Sequence, residues 1–407
     1  MTRAPKLLLV LMGLGLALRW GLALKLQEKD YQPDEGVYIT IARNFRDYGV
    51  LGDKLTPNAD KPPVTAAAIR TCFALFGDRL WAARMVWGIM GVAAAWGLYL
   101  YASLLFGRTA GLLAGGFAAI YPFFIYWSSI LMSEMPAIFL VVFALLYTEK
   151  ARRPEGKTWE AWLAGLLWGL ATLNRTQTLG FVLVMLVWAA LFKAKKSVLL
   201  GLALPALLLP SLWLVRNGLS LDTWTLDTHS GYTAVIRVMF YDEDNIDTGV
   251  ADAALQKAPF YAEAMALPPA ERDRFFFKQA VDYIKANPLR YAKNCAGNFL
   301  QFWRFYPRPD KSVGVTPGSF LHSDRRYFIW LSLLTEPALI LLGLAGLILG
   351  IKERAPVALP ILWILANTAV HTLVISQMRY RIPVMPMVIL LAAYAVARKA
   401  GQMRESA

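Results

Sequence analysis

The residues best suited to chemistry lie early in the chain. Asp34 and Glu35 form an acidic pair in Pro33-Asp34-Glu35-Gly36, and Asp60-Lys61-Pro62-Pro63 closes the same polar stretch. A carboxylate ionised at neutral pH can take the proton of an attacking hydroxyl that lies within hydrogen-bond reach. Lysine offers a phosphate a point charge, and arginine grips one through parallel hydrogen bonds. Far downstream, Arg379 and Arg381 flank Tyr380, while Glu134 ends a charge-free run over residues 109–133. Together these types could move a proton and hold an anion.

Two short helices are predicted to carry the first cluster. Tyr38, Ile41, Phe45 and Tyr48 recur at helical spacing after the acidic pair. Residues 64–76 place Val64, Ala68, Cys72 and Leu75/Phe76 on one side, the pattern of a helix lying in a membrane interface. Asp34 at a helix start has two readings, a base or an N-terminal cap favoured by the helix dipole. Glu35 either orients Asp34 or serves that dipole alone.

The elements that must position these residues are membrane spans. The chain has 407 residues, 57% hydrophobic and 17% charged, with a formal net charge of +14. Soluble domains are nearer 45–50% apolar and about 25% charged. Disorder, a disulfide scaffold and a soluble enzyme are therefore excluded. A bilayer core asks for about 20 apolar residues per helix. Spans are expected near 5–26, 80–106, 109–128, 134–149, 160–174, 176–192, 197–216, 327–351, 356–375 and 382–398. The N-terminal 26 residues resemble a signal peptide, but no small-residue cleavage site follows, and Arg19 and Lys25 interrupt the tail. An uncleaved first span is expected.

The basic residues sit in short blocks between apolar runs, which points to topology rather than to nucleic acid. The N-terminus, Arg108, residues 149–160, 193–196 and 352–354 and the C-terminus together hold fifteen basic and five acidic residues. That side is expected in the cytoplasm, with both termini. On the other side, residues 26–62 and 217–325 are slightly acidic.

Further motifs follow in order: Leu105-Phe106-Gly107, Tyr121-Pro122, Ser133-Glu134-Met135-Pro136, the run from Gly165 to Asn174-Arg175, Trp213-Leu214-Val215-Arg216-Asn217, and Arg379-Tyr380-Arg381-Ile382-Pro383. With the early acidic pair and Lys61-Pro62-Pro63, they resemble the GT-C superfamily of membrane glycosyltransferases. The likeness is to the family-39 type, which includes dolichyl-phosphate-mannose protein mannosyltransferases and the lipid A aminoarabinose transferase. It covers about residues 5–217, 275–305 and 326–398.

The resemblance implies an all-α polytopic membrane protein, a GT-C-like bundle of about ten spans with interfacial helices in the first outer loop. It implies an N-terminal module over 1–216 with its first outer loop at 26–79, an outer region at 217–325, and C-terminal spans at 326–407. The implied reaction is inverting transfer of a sugar from a polyprenyl phosphate to a lipid, glycan or protein acceptor on the extracytoplasmic face.

Asp34 is then the catalytic base, with Glu35 beside it. Lys61, Arg379, Tyr380 and Arg381 are the donor-phosphate group. Asp60 and Glu134 are acceptor or metal candidates. Arg175, Arg216 and Asn217 either serve the donor or anchor helix ends. No cofactor is required by this chemistry, although Asp34, Asp60 and Glu134 could together hold a divalent cation. A transporter or lipid flippase and an O-antigen ligase or polymerase are the rival readings. Both gather their polar residues differently from the acidic pair and Lys-Pro-Pro of this chain.

Three more features stand apart. Residues 242–247 faintly match a calcium loop but lack its glycine, so a solvated loop is expected. Glu271–Ala286 reads as an amphipathic helix over the membrane. Cys72 and Cys295 are expected outside as two free thiols, with a disulfide as the alternative.

Overall fold

The computed structural model describes residues 3–29, 32–192, 194–240, 248–306 and 325–405. The acidic run at 242–247 lies outside them. Among the described residues there is no strand.

The first half runs α1 (Arg3–Leu26), α2 (Pro33–Tyr48), α3 (Pro63–Phe76), α4 (Leu80–Phe106), α5 (Arg108–Ile120), α6 (Pro122–Trp127), α7 (Glu134–Arg152), α8 (Thr158–Asn174), α9 (Thr178–Leu191) and α10 (Lys196–Leu221). An outer group follows: α11 (Ser230–Val235), α12 (Thr248–Gln256), α13 (Tyr261–Ala266), α14 (Pro269–Ala286) and α15 (Pro288–Phe302). The chain closes with α16 (Arg325–Lys352), α17 (Ala358–Leu373), a 3₁₀ turn (Met378–Arg381) and α18 (Met385–Glu405).

A helix coincides with each expected span. Four regions, Lys6–Leu26, Leu80–Phe106, Lys196–Leu221 and Ile329–Lys352, are long and apolar enough to cross a bilayer by length and composition. The chain is a multi-pass membrane protein, and the expected count of ten rests on shorter helices such as α5, α9 and α17.

One expected span is broken. Residues 109–128 form two helices, because Tyr121 is extended (φ −61, ψ 121) ahead of Pro122. Proline disfavours the helical conformation of the residue before it. The break strips Ala119 of its helical partner, and the fully buried Arg19 of α1 donates to that carbonyl, to Gly15 O and to Ser128 Oγ. An orphan helix-end acceptor is thereby satisfied in a place that water does not reach.

Helix association in a bilayer relies on close packing and hydrogen bonds, since lipid tails are as apolar as leucine. A Cβ on Gly165 would lie 2.4 Å from the Gly201 carbonyl oxygen, so α8 and α10 meet backbone to backbone. Three buried indoles also find acceptors: Trp87 donates to Met132 O, Trp168 to Thr148 Oγ1 and Trp363 to Pro383 O.

The two helices of the first loop depart in part from the expected faces. In α2, Tyr38 and Ile41 are buried but Tyr48 is exposed, and Gly49 closes the helix in the left-handed region. In α3 the packed face is Thr65, Ala66, Ile69, Cys72 and Phe73, while Leu75 and Phe76 point outward. The side facing α2 is therefore rotated from the Val64–Ala68 stripe, and the outward pair suits a membrane surface.

The outer group has its own core of Val235, Ile236, Leu255, Ala264, Phe276 and Ala280. α14 turns Phe275, Phe276, Ala280 and Ile284 toward that core. Cys72 and Cys295 are both free thiols.

Candidate functional site

α2 starts on an extended Gln32, and Pro33 supplies the fixed φ of a first helical residue. Asp34 thus falls in the first turn and is not the cap. Its carboxylate is taken from both sides: Lys61 Nζ lies 2.9 Å from Oδ1, and Arg379 NH2 lies 3.0 Å from Oδ2. The latter contact joins residues 345 apart in sequence. Burial alone would raise the Asp34 carboxyl, but Arg379 and Lys61 more than offset it and hold it well below the usual carboxylate range. Burial likewise disfavours the charged Lys61, yet Asp34 and Tyr38 keep its ammonium above its ordinary value.

Glu35, one residue on, faces the other way. It pairs with Arg84 at 2.9 Å, both side chains fully buried, and accepts from the Leu131 backbone N–H at 2.8 Å. Arg84 also donates to Gln27 O and Lys29 O. The acidic pair is thus split: Asp34 faces the cation cluster, and Glu35 pins α2 to α4 and to the loop before α7.

The arginine pair of the 3₁₀ turn is split in the same way. Arg379 NH2 donates to the Tyr380 hydroxyl at 3.2 Å, and its Nε has no hydrogen-bond partner among the described residues. Arg381 is 1% exposed, pairs with Glu336 of α16, and donates to Phe302 O and Arg304 O. Glu336 in turn accepts from the Tyr121 hydroxyl. Arg381 therefore locks the C-terminal helices to the α5–α6 break rather than facing the cleft beside Arg379.

Around Asp34 sit further polar groups. Arg175, at the end of α8, lies 3.5 Å from Glu134 Oε1 and 5.7 Å from the Tyr380 ring. Glu134 is 2% exposed, and its Oε2 has no hydrogen-bond partner among the described residues. Burial would raise the Tyr380 hydroxyl, but Arg379 and Arg237 pull it below its ordinary value. Asp34 and Glu134 thus face Lys61, Arg175 and Arg379, an arrangement with more positive than negative charge.

Other expected residues go elsewhere. Asp60 accepts from Thr228 Oγ1 at 2.6 Å, and Thr228 N donates to Ala59 O at 3.1 Å. Arg216 donates to Asn58 O and to Asn217 Oδ1, and Asn217 donates to Thr225 O. Both hold the segment after α10 against the first loop. Among the described residues no group of three or more His, Cys, Asp or Glu could hold a metal ion. Asp34, Asp60 and Glu134 go to separate partners, so they do not form the expected divalent-cation set.

Three residues escaped the sequence reading. His371 stacks on Tyr380 at 4.8 Å with planes 4° apart, and its Nε2 lies 3.2 Å from Gln177 Nε2. Tyr38 lies under the Lys61 ammonium at 5.7 Å. His229, in the segment latched to Asp60, is held below the usual histidine value by burial and by Lys61. A lone histidine carries no spacing signal, and only the folded chain brings these rings to the cluster.

Residues 60–215 match the family model described as dolichyl-phosphate-mannose-protein mannosyltransferase. That stretch contains Lys61, Glu134 and Arg175, and ends before Arg379. No curated protein matches the sequence. The fold is similar to the archaeal oligosaccharyltransferase AglB from Archaeoglobus fulgidus, solved with an inhibitory peptide and a dolichol-phosphate. The TM-score is 0.55 at 14% identity, covering 98% of this chain and 51% of that one. The same enzyme in complex with Zn and sulfate gives a TM-score of 0.56 at 14% identity, covering 97% of this chain and 49% of that one. ArnT from Cupriavidus metallidurans bound to undecaprenyl phosphate is 16% identical over 96% of this chain and 78% of its own, with a TM-score of only 0.46. The fold is therefore similar to that of AglB, and the chain spans about half the length of that enzyme.

Proposed function

We propose that this protein moves a sugar from a polyprenyl phosphate to a hydroxyl acceptor at the extracytoplasmic face of the membrane, with inversion at the anomeric carbon. One observation carries the reading: Asp34 lies between Lys61 and Arg379, within a cluster that holds three cations for two carboxylates. A base and a site for a departing phosphate are side by side. The dolichol-phosphate of AglB supports a lipid phosphate as the donor's carrier.

In this reaction the acceptor oxygen attacks the anomeric carbon as the carbon–phosphate oxygen bond breaks. The electron pair of that bond goes to the phosphate, and the acceptor proton goes to Asp34. Lys61 and Arg379 stabilise the charge that grows on the phosphate, the kind of preorganised electrostatics that dominates many enzymes. Glu134, with its unpartnered oxygen, faces the acceptor. Acceptor choice resides in the outer region 217–325. The positive-inside loops put both termini in the cytoplasm, and the site-bearing ends of the helices outside.

The test is transfer from a radiolabelled or mass-tagged polyprenyl-phosphate sugar in membranes holding Asp34→Asn at normal protein level. The variant should lose transfer. Retained transfer rejects the base, and no donor consumption by wild type rejects the enzyme.

A further inference from the structure

The base and the phosphate group of this site occupy each other. Both Asp34 oxygens are engaged, Oδ1 by Lys61 and Oδ2 by Arg379, at ordinary ion-pair distances. A phosphate that takes the Lys61 and Arg379 donors now on Asp34 displaces the carboxylate from both cations. The same carboxylate, clamped between two charges, is a poor proton acceptor. Built on the reading above, we infer that Asp34 stands in for the donor phosphate at its two cations, and that arrival of the phosphate releases it to act as the base.

Three observations outside the clamp support an exchange. Arg379 Nε is a buried donor with no hydrogen-bond partner among the described residues, so the guanidinium has capacity for an anion beyond Asp34. Arg175 NH1 is likewise without one and faces Glu134 only at 3.5 Å. The cluster also carries more positive than negative charge before any donor arrives. Asp34 keeps about a third of its side chain exposed, so the carboxylate can turn aside on α2 without unpacking the core. Once released, it returns toward the ordinary carboxylate range, still ionised at neutral pH and more basic than in the clamp.

The exchange imposes an order on the reaction. Without donor, an acceptor hydroxyl meets a carboxylate already engaged by two cations. With donor bound, the base is free and the phosphate is held by the same two cations. After transfer, the leaving phosphate monoester carries more negative charge than the donor diester. It departs when Asp34, having passed on its proton, competes for Lys61 and Arg379 again. Asp34 thus weakens donor binding and assists product release.

The experiment measures binding of a short-chain polyprenyl phosphate to full-length protein in lipid nanodiscs, by isothermal titration, beside the transfer assay. The inference expects Asp34→Asn to bind at least about ten-fold tighter than wild type, since an internal competitor for two cations has been removed. Transfer by that variant should be lost. Asp34→Ala serves as a second variant with the same expected direction, and Lys61→Ala should weaken binding in both backgrounds. Equal or weaker binding by both Asp34 variants, with wild-type binding intact, overturns the exchange and leaves the phosphate site standing. Absence of binding by wild type overturns the phosphate-site reading and the exchange with it.

Discussion

Glu35 and Arg84 meet at 2.9 Å with both side chains fully buried, one residue away from the partly exposed clamp on Asp34. Adjacent carboxylates thus do unlike jobs. Removing one partner of a buried pair leaves an uncompensated charge and costs about 3–5 kcal/mol. Glu35→Gln should lower the thermal denaturation midpoint in detergent by more than Asp34→Asn does. A Glu35→Gln protein as stable as wild type but devoid of transfer would move Glu35 into the chemistry.

Lys61 and Arg379 share the phosphate in the proposed reaction. Lys61→Ala and Arg379→Ala should each raise the donor KM at least about ten-fold, the cost of one charge-assisted contact. The double variant should fall short of the product of the two, because both residues touch the same carboxylate. Kinetics at varied donor concentration decide this, and an unchanged KM in both singles rejects the assignment.

Acidity acts on this pair from both sides. Asp34 is held below its unfolded value, so its pairing contributes stability above about pH 4 and loses it as pH falls toward the lowered value. Lys61 is held above its unfolded value, so its share is complete below about pH 10 and is lost as pH rises through the raised value. His229, depressed by burial and Lys61, is uncharged above about pH 6.5. With the lowered Tyr380 hydroxyl removed by Tyr380→Phe, donor KM should therefore be flat from roughly pH 7 to pH 10. A titration centred inside that range would contradict the clamp.

Thr228 ties the outer region to Asp60 and Ala59. Thr228→Val removes the hydroxyl contact, worth about 1 kcal/mol net. Acceptor KM should rise several-fold while donor binding is unchanged. Equal effects on both substrates would show that the latch shapes the donor site instead.

Arg381 and Glu336 join the last helices to Tyr121 at the α5–α6 break. Glu336→Gln should reduce folded protein recovered in detergent, by the same buried-charge argument. Exchanging the two charges, Glu336→Arg with Arg381→Glu, should restore part of it.

Helix positions were legible because apolar runs of span length leave few alternatives, and Asp34 stood out because an acid beside a proline opens a patterned helix. Pairings across the chain were not. Nothing in the spacing of Glu35 and Arg84, or of Arg381 and Glu336, says that one acid of each motif goes inward. The roles of adjacent residues separate only when the helix direction is known. The α5 break was signalled by Pro122 but outweighed by the charge-free run around it. His371 and His229 gave no local signal at all.

Asp34 and Arg379 are 345 residues apart in the chain. At synthesis rates of about 5–20 residues per second, the carboxylate emerges roughly 20–70 s before its arginine. If the proposed roles hold, the nascent protein has throughout that interval a base and no completed phosphate grip. Inserted fragments that stop short of Arg379 should then consume no lipid-linked sugar, so a ribosome that stalls midway should leave an inert product in the membrane. In the proposed reaction, competence waits for Arg379 and arrives in one step.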